Sequence, residues 1–268
     1  MLMLTWFHDG IPELSAVSPA ASVFSGSGPA IGWAMIAFME HPVPISSFGL
    51  RIVVPQHPQV IEQGWAEVRP LVDGRDLLAE IHPEGVSNCS SRHLLGPAEG
   101  WLFAASDEPR QVELSNNDCV TDCCGGVFVT IRRQGDRVLW TSWRNTHDNR
   151  VPVPADVHFD AAQYDSELAR AGADVSWEEP VDTAARLLVE ELADPTGPQL
   201  GDLAVLAITP ERTEPTRVTV HLGRRDVPWV PGGAVVRELL VTGQEPVHER
   251  VRQFVLRIAA GDAASDLR

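Results

Sequence analysis

The sequence predicts an α+β fold: an antiparallel sheet with a clear hairpin near 126–143, followed by helices, further strands and a C-terminal helix. Three observations carry this. The stretch 126–143 alternates apolar and polar residues around a turn, the stretches after 159 switch to helical spacing, and the order runs strands, helices, strands, helix. Phe48 to Val54 and Trp65 to Val72 read as strands, the second ending in the turn Asp73–Gly74, and Gln111 to Leu114 is a shorter candidate. Gly126 to Arg132 and Arg137 to Trp143 flank a turn at 133–136; Val127, Val129 and Ile131 share one face, and Val138 and Trp140 share another. Phe159 to Ala171 reads as a helix with small or apolar residues at 161, 164, 168 and 171 and Asp160 near its start. In Val181 to Ala193, Asp182 is the expected cap, and Ala185, Leu188, Val189 and Leu192 form a stripe. Leu203 to Ile208, Arg217 to Leu222 and Val235 to Val241 return to strand character. Pro246 to Ala260 closes as a helix with Val247, Val251, Phe254, Val255 and Ile258 on one side.

The first 50 residues hold only Asp9, Glu13 and Glu40 as charges, and the stretch 14–39 is rich in Ala, Ser, Gly and Pro. It lacks the basic start of a signal peptide, and the Ser and Gly at 25–28 interrupt any membrane span. The expectation is a poorly ordered leader over 1–40, a single α+β domain over 41–268 with a sub-boundary near 150–156, and a cytoplasmic location. Gly26, Gly28 and Gly32 have the look of a dinucleotide turn but no βαβ unit around them, so no cofactor-binding residues are assigned.

All 21 basic residues are Arg. A chain without Lys cannot form a Schiff base and lacks the Lys of a P-loop, a kinase nucleotide site or an S-x-x-K acylase. The many Ala, Pro, Gly and Arg residues point to codon usage in a GC-rich genome as the cause, with selection against Lys-directed tagging or acylation as the alternative. With 37 acidic residues the net charge is −16, which repels phosphate backbones and argues against nucleic acid as a partner. The same charge suits a basic protein partner. The sequence leaves the oligomeric state open.

The segments Leu71-Val-Asp-Gly-Arg-Asp-Leu-Leu78, Cys123-Cys-Gly-Gly-Val-Phe-Val-Thr130, Asp136-Arg-Val-Leu-Trp140 and Phe159-Asp-Ala-Ala-Gln-Tyr164 give the chain a family resemblance. It resembles a group of proteins of high-GC actinobacteria that carries no assigned function, so the resemblance implies neither a mechanism nor a site.

Cysteines stand at 89, 119, 123 and 124, three of them within six positions. Thiolates suit zinc, and His82, Cys89, Cys119, Cys123 and Cys124 are the candidate ligands, although only Cys119 and Cys123 have the separation of a ligand pair. The competing expectation is structural: Cys124 opens the strand that begins at Gly126, and Cys123 is buried with Val127, Val129 and Ile131. His82-Pro-Glu84 ahead of Cys119 and Cys123 is similar to the H-x-E…P-C-x-x-C pattern of zinc nucleobase deaminases, which makes Glu84 a candidate proton shuttle. Asp118 replaces the Pro, and three residues rather than two separate the cysteines. The run 144–150 offers His147 as a second candidate acid or base. Trp65, Trp101, Trp140 and Trp143 are expected in the core. No complete catalytic constellation emerges. The leading expectation is a non-catalytic, acidic, cytoplasmic binding protein of immunity or accessory type that needs no cofactor; the alternative is a zinc-dependent hydrolase or deaminase-like enzyme.

Overall fold

The computed structural model describes residues 44–54, 64–96, 100–117, 121–226, 234–242 and 246–261; the expected leader lies outside them, as does Cys119. The fold is α+β, as the sequence predicts. Strands β1 (Ile45–Ser46), β2 (Phe48–Val53), β3 (Glu67–Val72) and β4 (Arg75–Asp76) precede helix α1 (Leu77–Ile81). Then come β5 (Val86–Ser87), a 3-10 turn (Ser91–Leu95), β6 (Arg110–Asn116), α2 (Thr121–Cys124), β7 (Gly126–Gln134), β8 (Arg137–Asn145) and β9 (Val157–Asp160). Helices α3 (Ala161–Ala173) and α4 (Pro180–Ala193), strands β10 (Leu203–Glu211), β11 (Arg217–Arg224) and β12 (Val235–Leu240), and helix α5 (Val247–Ala259) complete the chain.

One sheet has the order β1-β9-β8-β7-β6-β5, with β1 and β9 parallel and the remaining pairs antiparallel. Two further antiparallel sheets have the orders β2-β3-β4 and β10-β11-β12. The β7–β8 hairpin turns at Gly135 and Asp136, with Gln134 paired to Arg137 and Gly135 at φ 60. The β3–β4 hairpin turns at Asp73 and Gly74, both at positive φ, the pair of left-handed residues that a tight two-residue hairpin needs.

Two apolar cores form. The first gathers Phe48, Leu78, Phe103, Val127, Val129, Ile131, Trp140, Phe159 and Tyr164 between the six-stranded sheet, β2–β3 and α3. Tyr164 is fully buried and donates its hydroxyl to Phe103 O at 2.7 Å, while Trp140 Nε1 donates to the Tyr164 hydroxyl at 3.2 Å. The second core sets α4 and α5 on β10–β12 through Ala184, Leu188, Val218, Val220, Val251, Phe254 and Ile258. The buried face of α3 belongs to the first core and that of α4 to the second. Trp65 ties the halves: it sits in the second core and donates Nε1 to Ile208 O at 2.8 Å.

The four tryptophans expected in the core are buried. The buried residues of α3 are those of the predicted spacing, and Asp160 caps it by accepting from Gln163 N at 2.9 Å. Asp182 is a correction: the cap of α4 is Glu179, and Asp182 stands one turn inside. There it accepts from Glu179 N and pairs with Arg212, which also donates to Gly64 O. No helix among the described residues is long and apolar enough to cross a membrane.

Candidate functional site

Two candidates that the sequence assigned to different chemistries meet in space: the rings of His82 and His147 stack with centroids 4.3 Å apart, 29° from parallel. His82 ends α1 as its C-cap, with its N–H donating to Leu78 O at 2.8 Å. Its ring is 1% exposed. Both nitrogens are engaged: Nδ1 lies 2.7 Å from Ser115 Oγ, and Nε2 lies 2.7 Å from Asn117 Oδ1. Asn117 Nδ2 lies 2.7 Å from His147 Nδ1 and 3.4 Å from Cys124 O. A continuous line of polar contacts thus runs from the buried Ser115 through His82 and Asn117 to the exposed His147.

Two interruptions of the sheet aim these residues. In β6 the pairing slips between Glu113 and Ser115, so Leu114 and Ser115 are both buried in succession. In β8 it slips where Phe128 and Thr130 face Arg144 and Thr141. Ser142, at φ 54, absorbs the extra residue. The buried set moves from Val138 and Trp140 to Trp143 and Asn145, as a bulge requires. Asn145 then accepts from His147 N at 3.0 Å and Asp148 N at 3.1 Å, which folds the chain past the end of β8 and places His147. Two glycines make room. A Cβ at Gly85 would collide with His82 Nδ1 and Ser115 Oγ, and one at Gly125, φ 72, would enter the backbone at Thr146.

Thr146, His147, Asp148, Asn149 and Arg150 line an open depression over this array. Arg150 donates to Asp148 through Nε and Nη2, both at 2.9 Å, and holds that carboxyl down at about 2. Burial pushes the His82 imidazole below its usual range; the Asn117 contact opposes this, while charge on His147 and Arg69 adds to it.

The zinc candidates are dispersed. Cys89 is in the first core, and burial pushes its thiol up to about 12. Glu84 is exposed in the turn after His82. Cys123 is exposed and Cys124 half-buried on α2. This corrects the expectation that Cys124 opens the strand and Cys123 is buried: Gly125 at positive φ separates a helical turn from β7. Among the described residues no three His, Cys, Asp or Glu side chains come together as a metal site. Asn117, Ser115 and Asn145, which the sequence reading passed over, hold the array together; the polar run 115–117 at the end of an apolar strand was the signal.

No protein-family model, no curated protein and no solved structure matches this chain.

Proposed function

We propose that the protein is an acidic, non-catalytic binding protein of immunity or accessory type that acts in the cytoplasm on a basic protein partner. The observation that carries this reading is how its charges are used. Arg51, Arg69, Arg75, Arg133, Arg170, Arg186, Arg212 and Arg217 are each committed to carboxylates of the same chain. Glu84, Asp107, Glu108, Asp156, Asp202 and Glu214 stand exposed and outside any ion pair among the described residues. Exposed pairs contribute little to stability, about 0–1 kcal/mol each. Arg92, Arg132, Arg144, Arg225 and Arg252 also stand exposed outside these pairs, so the outer field is set by the net surplus of carboxylates, −16 over the whole chain. Such a field speeds encounter with a positive surface and discriminates against a negative one. An unpaired, exposed Cys123 suits a reducing compartment.

The absence of Lys gives a direct test. A carbodiimide joins a carboxylate to an amine, and apart from its amino terminus this chain has no amine to offer. Every other protein adduct formed in a cell extract therefore reports an amine, a lysine or an amino terminus, of a second molecule. The expected product is one covalent heterodimer with a basic protein, joined through the exposed carboxylates. Adducts confined to the chain's own amino terminus would contradict the reading.

A further inference from the structure

We propose that Asn117, oriented by Ser115 and His82, holds neutral His147 as its Nε2–H tautomer, so that the 146–150 depression presents a hydrogen-bond donor and takes a ligand through an accepting oxygen. The protons along the array can be counted one by one. Ser115 Oγ is fully buried, and its one hydrogen-bond partner among the described residues is His82 Nδ1 at 2.7 Å. A hydroxyl has one proton to donate, and leaving it without an acceptor in the interior costs about 1–3 kcal/mol. Ser115 therefore donates to Nδ1, which makes Nδ1 an acceptor and leaves the proton of neutral His82 on Nε2. That N–H needs an acceptor, and the atom at 2.7 Å is the oxygen of the Asn117 amide.

The amide nitrogen then faces the other way, with two hydrogens and two acceptors before it: His147 Nδ1 at 2.7 Å and Cys124 O at 3.4 Å. Cys124 O also lies 3.1 Å from His147 Nδ1 and could take a proton from it, but the closer amide N–H at 2.7 Å leaves no room for a second hydrogen on that nitrogen. Turning the amide over undoes this at three places. It puts an oxygen against the Cys124 carbonyl, places the ring proton of His82 on Nδ1, and strands the Ser115 hydroxyl proton. With Nδ1 accepting, neutral His147 carries its proton on Nε2. This is the reverse of a triad histidine, whose Nδ1–H is held so that Nε2 can accept. Asp148 and Arg150, which line the depression with His147, are closed on each other, so the depression offers a donor where a triad offers a base. This inference rests on the array alone and stands whether or not the partner reading does.

The test is long-range proton–nitrogen NMR of the histidine rings at pH 8. The expected wild-type spectrum has protonated Nε2 and bare Nδ1 on both His147 and His82; a bare Nε2 on His147 overturns the assignment without any variant. In Asn117→Asp the carboxylate accepts from both rings, so His147 should change to Nδ1–H; a His147 that keeps Nε2–H in that variant also overturns it. Acetamide and acetate then probe the depression as carbonyl and carboxylate oxygens. Movement of the His147 Nε2 resonance in wild type and its loss in Asn117→Asp supports the donor site, and the more effective probe names the oxygen. If neither probe moves that resonance in wild type, the ligand half of the proposal fails.

Discussion

At His82 a buried imidazole has both nitrogens occupied, and its fold-imposed shift has a definite sign. The folded protein holds it neutral below the pH at which the unfolded chain, near 6.5, would take a proton. Its contribution to stability is therefore complete above about pH 6.5 and is lost as pH falls towards the depressed folded value. The melting temperature of the wild type should fall from pH 7 to pH 5 more steeply than that of His82→Gln. Equal slopes would mean that the ring does not titrate with folding. The cysteines make a second test at this scale. Cys123 is exposed, whereas Cys89 is fully buried with its thiol pushed up to about 12, and only thiolates react quickly. Native-state alkylation read by mass spectrometry should label Cys123 first and leave Cys89 untouched until unfolding; early labelling of Cys89 would contradict its placement.

Among the elements, periodicity made the long ones legible. Val127, Val129 and Ile131 alternate because one face of β7 is buried, and Ala161, Tyr164, Leu168 and Ala171 repeat because one stripe of α3 is. The short strands β1, β4, β5 and β9 and the helical turns α1 and α2 span too few residues to express either period. The bulges hid the site. Each shifts the phase of its strand by one residue, so the even spacing that marks Val138 and Trp140 as buried would place Asn145 on the wrong face. Ser142 holds the second bulge at φ 54, a region where a β-branched side chain is strained. Ser142→Val should destabilise by about 1–2 kcal/mol in urea unfolding, while Ser142→Gly should hold or raise stability. If Val is tolerated as well as Gly, the left-handed turn at 142 is wrong, and with it the aim of Asn145.

For the whole molecule, composition supplies a net charge but no chemistry. His82 and His147 were each legible as polar oddities, but 65 positions of chain separate them, and only β6 and β8 lying on either side of β7 bring them together. The charge of −16 is a property of the whole chain, and the structure adds that many guanidinium groups are closed on neighbouring carboxylates while exposed groups of both signs face water, the acidic ones in excess. If that outer field selects the partner, the carbodiimide adduct should depend on salt. Raising it from about 0.05 M to about 0.5 M shortens the reach of exposed charges to a few Å. The decisive measurement is the yield of the cross-linked heterodimer across that range, made with the reagent quenched at equal times. The account predicts one basic partner whose adduct falls steeply as salt rises. An adduct whose yield is flat with salt, or whose partner is acidic, would contradict it.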